Sequence, residues 1–345
     1  MGVKLGDILK DSRKIITTEN LVGKTLAVDA FNWLYQFLAI IRGNDGSPLK
    51  DYKGRVTSHL SGLFYRNLNL MDAGIKLIYV FDGQPNPLKA QEIQRRREAR
   101  EISQKKMEEA QDDSDRENTD IKRFAQGTSK LTKEMIEESK QLLSYMGIPY
   151  IVAPQDGEAQ AAHLIQSGKA WGIASQDYDA FLFNGERVVR NLSDTKDKSI
   201  EYYHLPKTLE NLNITQAQLV DMAILVGVDF FDGIAGIGDK TAYKLIKEYG
   251  TIEKIISQYV PTSKKDFSAL TPEFLETVRN IFLKPQVTDD FTILRTPPNY
   301  EKIQELLVEE HNFNQERMEK TFTKMRGKAL TKTQKVMDNF FLKKS

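Results

Sequence analysis

A chain of 345 residues, 40% hydrophobic and 28% charged with a formal net charge of +1, can bury one large core or two, and leaves polyanion binding to be decided by where its charges lie. It has no cysteine, which excludes disulfides, thiolate catalysis and cysteine zinc sites, and no apolar run approaches the roughly 20 residues that span a bilayer. The opening MGVKLGDILKDSRK lacks a signal-peptide core, so an intracellular, cytoplasmic protein is expected.

KTLAVDA (24–30) reads as a first buried strand, short and apolar, ending at Asp29. The period of TSHLSGLFYRNLNLMDAG (57–74) predicts a helix, and KLIYVFDG (76–83) is a second buried strand that ends at Asp82. Residues 89–106, KAQEIQRRREAREISQKK, are helical in propensity and strongly basic, whereas 107–120, MEEAQDDSDRENTD, are strongly acidic. Neither carries a full apolar face, so both should project into solvent, as a plain insertion or as a basic helix that handles phosphates. TKEMIEESKQLLSYMG (132–147) predicts a helix, PYIVAP a strand, and GEAQAAHLIQSG a helix opening at Asp156 and Glu158. WGIASQD (171–177) is a third buried strand, ending at Asp177, with Asp179 two residues further on. If that stretch is extended, the two carboxylates share a side about 7 Å apart. Strands alternating with helices predict an α/β fold, a mostly parallel central sheet flanked by helices.

Ligands of such sheets bind beyond the carboxyl ends of the strands, so periodicity alone gathers Asp29, Asp82 and Asp177 at one edge, joined by Asp156 and Glu158. Asp156 taken singly is an ordinary helix N-cap. As a set, the converging carboxylates repel one another unless cations lie against them. His59, His163, His204 and His311 are scattered and form no ligand pair, so hard divalent ions, magnesium or manganese, are expected. A carboxylate cluster beside a basic helix fits two-metal phosphodiester hydrolysis. A phosphomonoesterase fits less well, because Ala180 and Phe181 follow the Asp-x-Asp where that chemistry needs Thr. Further on, TQAQLVDMAILVGVDFFDGIAGIGDKTAYKLIKEYG gives an apolar helix, a glycine-rich turn with Gly236 and Gly238, and a second helix carrying Lys240, Lys244 and Lys247. Glycines let backbone amides approach a phosphate or ion, and a helix N-terminus favours an anion. The end, RMEKTFTKMRGKALTKTQKVMDNFFLKKS, is basic and expected to be flexible.

The ordered stretches MGVKLGDIL, LAVDAFNWLYQFLA, GRVTSHLSGLFYRN, YVFDGQPNPLK, APQDGEAQAAHL, SQDYDAFLF, LVGVDFFDGIAGIGDKTA and QKVMDNFF together resemble the flap endonucleases, in their archaeal form, over nearly the whole chain. The resemblance implies a magnesium-dependent 5′ flap endonuclease and 5′–3′ exonuclease acting by two metal ions, with Mn²⁺ able to substitute, in Okazaki fragment processing and DNA repair. It implies metal ligation by Asp29, Asp82, Asp156, Glu158, Asp177, Asp179 and Asp229; Asp156 stands where the family usually has Glu, which puts direct ligation there in doubt. It implies that Lys89 and Arg96 act on the scissile phosphate and that Tyr35 stacks on the neighbouring nucleotide. It makes the insertion, about 83–130, a helical arch for the 5′ flap, and the segment of about 218–256 a helix–two-turn–helix that holds duplex DNA through Gly236, Gly238, Lys240 and Lys244. A potassium ion at the carbonyls of Ile234 and Ile237 would assist there. Gln334, Met337, Phe340 and Phe341 match a box that binds the sliding clamp (PCNA). The expected organisation is a single nuclease domain over 1–330 and a flexible tail over 331–345, with flap-structured or nicked duplex DNA and the clamp as partners and no membrane.

Overall fold

Leu26 and Val28 point to one side of their strand and Ala27 to the other, and each side meets its own apolar layer. Period-2 alternation with both faces covered is the signature of a buried parallel sheet, and it explains why this strand is apolar without interruption. In the computed structural model that strand, β2 (Thr25–Asp29), lies in the interior of a seven-stranded sheet, between β5 and β3. The others are β1 (Lys14–Ile16), β3 (Lys76–Phe81), β4 (Tyr150–Val152), β5 (Gly172–Ala174), β6 (Arg187–Arg190) and β7 (Ile200–His204). The order is β1-β7-β6-β5-β2-β3-β4. The block from β6 to β4 is parallel, and β7 and β1 add antiparallel strands at one end. The expected mostly parallel α/β sheet is therefore present.

The structure describes residues 2–43, 45–90, 94–95, 97–99, 101–103, 105, 130–192, 199–259 and 265–325. Arg96, most of the basic and acidic insertion, and the clamp box at Gln334, Met337, Phe340 and Phe341 lie outside them. Among the described residues, no helix is long and apolar enough to cross a membrane.

One layer packs α1 (Ala30–Ile40), α2 (Ser58–Asp72) and α3 (Lys133–Tyr145) on the face carrying Leu26, Val28, Tyr79 and Phe81. The opposite layer packs α4 (Gly157–Gln166) and α5 (Gln216–Val226) on the face carrying Ala27, Ile78, Val80 and Ile173. The chain runs from β2 outward through β3 to β4 and then returns to place β5 on the other side of β2. Strand order thus reverses between β2 and β5, and a crevice opens there at the carboxyl ends of the strands.

The third predicted strand is shorter than its pattern suggested. β5 stops at Ala174, and a four-residue helix begins at Asp179. Ser175 Oγ accepts the Asp177 N–H at 3.2 Å, which bends the chain out of the sheet. Asp177 and Asp179 therefore lie on a turn, and the expectation of two carboxylates side by side on an extended strand does not hold.

Candidate active site

Asp29, the last residue of β2, caps the N-terminus of α1, where its Oδ1 accepts the Asn32 N–H at 3.0 Å. Asp156 does the same for α4, accepting from the N–H groups of Glu158 (3.0 Å) and Ala159 (3.4 Å). Its capping role is real, and it brings Glu158 in on the first turn. Asp82 follows β3 and accepts the Gly157 N–H at 2.6 Å. Glycine allows that approach, since a Cβ at Gly157 would lie 2.7 Å from Asp82 Oδ1 and would push the carboxylate aside. The neighbouring loops are sewn together by Gly83 N–H to Gln155 O, 2.8 Å, and a Cβ at Gly83 would fall 2.0 Å from the carbonyl oxygen of Ala153. Backbone approach of this kind holds the Asp82 and Asp156 segments in fixed relation.

On the other side of the crevice, Ser175 Oγ donates to Glu158 Oε1 at 2.7 Å, within the interior. Asp177 accepts from Gly2 N–H (3.1 Å) on Oδ1 and from Asn32 Nδ2 (2.9 Å) on Oδ2. Asp179 Oδ1 accepts the Val3 N–H at 2.6 Å. The N-terminal segment thus runs across the turn, and Gly2 passes so close that a Cβ would stand 2.8 Å from Asp177 Cβ.

The electrostatics follow from burial and from the company these acids keep. Asp29 and Glu158 are only 8% and 7% exposed. Burial, then repulsion from Asp82, Asp177 and Asp156, pushes the Asp29 carboxyl well above its usual range. Burial, then Asp179, Asp29 and Asp177, does the same to Glu158. Asp179 is pushed up to about 7 by burial and by Asp229, Asp177 and Asp156, against the Val3 hydrogen bond. Lys89 is the ammonium placed among these acids, 2.6 Å from Asp156 Oδ2 and 3.7 Å from Asp229 Oδ2. Burial disfavours its charge, but Asp156, Asp229 and Asp82 outweigh that and raise its pKa. Asp82, Lys89, Asp156, Asp229 and Phe230 line one cavity.

Sequence reasoning found Asp29, Asp82 and Asp177 at strand ends, Asp156 and Glu158 at a helix start and Asp179 beside Asp177, and the structure brings these six acids together. Asp229, which came only from the resemblance, joins them through Lys89. The hydrogen-bond donors Asn32, Ser175, Gly2 and Val3 were missed. A polar residue three positions after Asp29 was the available signal for Asn32; nothing local marks a backbone N–H supplied from the chain's beginning. Among the described residues, no three acidic or histidine side chains are drawn tightly enough around one point to enclose an ion as they stand. The acids ring a pocket more openly than a closed ligand cage does. The donor set still fits a hard divalent cation, being all oxygen, with three carboxyls raised by burial and by their neighbours.

Of the other predicted residues, Tyr35 is 37% exposed on α1. The helix pair is formed by α5 and α6 (Asp239–Tyr249). In the turn between them Ile234 O accepts the Ile237 N–H at 2.9 Å, and Gly236 O takes the Lys265 ammonium at 3.0 Å. Lys240 and Lys244 are exposed, and Lys240 lies 3.5 Å from Asp7. The histidines were expected to be scattered and structural and to form no metal-ligand pair. In space, His59 Nε2 stands 3.2 Å from Glu138, and His311 stands 3.3 Å from Glu138 and 3.2 Å from Asp51. Two of the four are thus brought together, in a knot that ties the C-terminal segment to α2 and α3, and burial lowers the His59 pKa.

Residues 1–103 match the XPG N-terminal domain and residues 147–229 the XPG I-region, so the two matches carry the acids on both sides of the crevice. A flap endonuclease 1 of Ignicoccus hospitalis is 44% identical over 346 residues, covering 96% of this chain and 96% of the relative. The chain belongs to the flap endonuclease family. Among solved structures, the flap endonuclease-1 from Methanococcus jannaschii superposes with a TM-score of 0.73 at 38% identity, covering 93% of this chain and 96% of that one. The catalytic core of Rad2 in complex with DNA substrate gives 0.71 at 25% identity, covering 94% and 99%. This flap endonuclease is accordingly a structure-specific 5′ nuclease, and the crevice between β2 and β5 is its candidate active site.

Proposed function

We propose that the protein is a Mg²⁺-dependent 5′ flap endonuclease and 5′–3′ exonuclease that hydrolyses one phosphodiester at the junction of single- and double-stranded DNA, as Okazaki fragment processing and repair require. The observation that carries this reading is the convergence at the switch point of Asp29, Glu158 and Asp179, each raised by burial and by neighbouring acids. Anions are kept in such a position where cations offset them. Asp29, Asp82, Asp156, Glu158, Asp177, Asp179 and Asp229 would hold two ions. When bound, Mg²⁺ or Mn²⁺ supplies Lewis acidity, lowering the pKa of water and neutralising charge that grows on the phosphate. Lys89, already charged and lining the cavity, donates to the scissile phosphate, and Arg96 is the second cation assigned to that phosphate. Tyr35 stacks on the adjacent base, and Lys240 and Lys244 hold the duplex by its backbone, so affinity falls with salt. A potassium ion at the Ile234 and Ile237 carbonyls would share a turn on which Lys265 already places an ammonium.

The direct test is cleavage of a 5′-labelled flap duplex with Mg²⁺ and with EDTA. Release of the flap only with the ion is expected. Binding without cutting, in Mg²⁺ and Mn²⁺ and across a broad pH range, would make the protein a DNA-binding scaffold. For the tail, the spacing of Gln334, Met337, Phe340 and Phe341 would suit an apolar pocket on a sliding clamp if that stretch docks there as a turn of helix. Phe340→Ala combined with Phe341→Ala should leave basal cleavage unchanged and remove stimulation by added clamp. Stimulation equal to that of the unmodified protein would refute the box.

A further inference from the structure

Asn32 stands in the wall of the crevice, one turn into α1, and three hydrogen bonds fix it. Its backbone N–H donates to Asp29 Oδ1 at 3.0 Å and its Nδ2 to Asp177 Oδ2 at 2.9 Å. Its Oδ1 accepts the Gln176 N–H at 3.3 Å. Those partners settle which way the amide faces, because the carboxylate needs a donor and the N–H an acceptor. Asp29 ends β2, and Gln176 and Asp177 follow β5, so this one residue spans the two neighbouring strands at which the sheet order reverses. Asparagine is suited to the position. Aspartate would set a like charge against Asp177, and an apolar side chain would leave both partners without it. Gly2 N–H donates to the other oxygen of Asp177, so a backbone amide and a side-chain amide both orient that carboxylate. Both of these donors are uncharged amides.

We infer, on the metal-dependent reading proposed above, that Asn32 is a positioning residue: anchored to Asp29 by its backbone N–H, it holds Asp177 with its side-chain amide across the crevice and fixes the orientation in which that carboxylate meets a divalent cation. Partners of this kind orient ligands without touching the ion, and their loss weakens metal binding.

The test titrates Mn²⁺ into the full chain by calorimetry, for the unmodified protein, Asn32→Leu, Asn32→Ala, Asp177→Ala and Asn32→Leu with Asp177→Ala. Thermal unfolding and flap cleavage are followed in parallel. Leucine preserves the volume and leaves the backbone N–H to cap with Asp29, so Asn32→Leu should fold, and alanine provides a second variant. About tenfold weaker Mn²⁺ binding is expected, with a matching rise in the Mg²⁺ needed for half-maximal cleavage, and with KM for flap DNA at saturating Mg²⁺ held. The effect of Asn32→Leu on Mn²⁺ affinity should shrink once Asp177 is already alanine, because the two act as one unit. Mn²⁺ affinity within about twofold of the unmodified protein, or an equal loss in both backgrounds, would overturn the inference. An unmodified protein that neither binds Mn²⁺ nor cuts would instead overturn the metal-dependent reading itself.

Discussion

Asp177→Ala is expected to lower single-turnover cleavage of a 5′ flap on the order of a thousandfold, about 4 kcal/mol of transition-state stabilisation, while flap-DNA affinity stays near that of the unmodified protein. The two outcomes separate because they depend on different groups. Asp177 is an acid that accepts hydrogen bonds from Gly2 and Asn32, so on the proposed reading it contributes a ligand position and no cation for a phosphate. DNA affinity depends on backbone phosphates met by lysine and arginine. Folding is not expected to suffer, because the substitution removes one of the charges that repel Asp29 and Glu158. Cleavage and fluorescence anisotropy on the same labelled flap, the latter in Ca²⁺, read the two quantities. Turnover close to normal would remove Asp177 from the site. Parallel loss of cleavage and binding would point to a DNA-holding role instead.

What the sequence made legible was what depends on periodicity. β2 and β3 are buried on both faces, so their apolar runs stand out, and Asp29 and Asp82 fall at or just past their ends. β1, β6 and β7 are only three to five residues long and carry Lys14, Arg187, Arg190 and Glu201, so no run distinguishes them from loop. The turn at Asp177 was misread because SQDYDAFLF is as apolar as a strand. A hydroxyl at Ser175 bends it, and Phe181 and Leu182 are buried from a helix instead. Contacts between distant segments had no local signature. The Gly2 and Val3 amides on Asp177 and Asp179, and the meeting of His59 with His311 at Glu138, exist only once the sheet has closed. The carboxylates could be named from sequence because charge at a strand end is conspicuous; the neutral donors that orient them could not, because an asparagine or serine in a helix or turn is ordinary.

The raised carboxyls also make folding stability respond to pH and to divalent ions together, with a definite sign. An acid whose pKa is higher folded than unfolded keeps its proton in the native state after the unfolded chain has released it. Native stability is then undiminished below the unfolded pKa and declines as pH rises toward the folded one. For Asp179 that window runs from the ordinary 3.8 to about 7. Asp29 and Glu158 shift in the same direction. The full cost is on the order of a few kcal/mol, reduced where solvent reaches the crevice. Lys89 stays charged throughout, since its own pKa is raised. Glu138, brought to about 2 by His311 and His59 against its burial, acts only at lower pH. His59, with its pKa lowered by burial, opposes the trend weakly near neutrality. In EDTA the unfolding midpoint should therefore fall by several degrees between about pH 5 and pH 8. On the proposed two-ion reading Mg²⁺ competes with protons for the same oxygens, so it should raise the midpoint far more at the higher pH than at the lower. Asp179→Asn keeps an acceptor for the Val3 N–H but removes the charge, and should flatten the EDTA profile. A midpoint in EDTA that holds or climbs over this range, with equal Mg²⁺ increments at both ends, would mean that these acids do not share a pocket in solution, and the proposed two-ion site would fall with them.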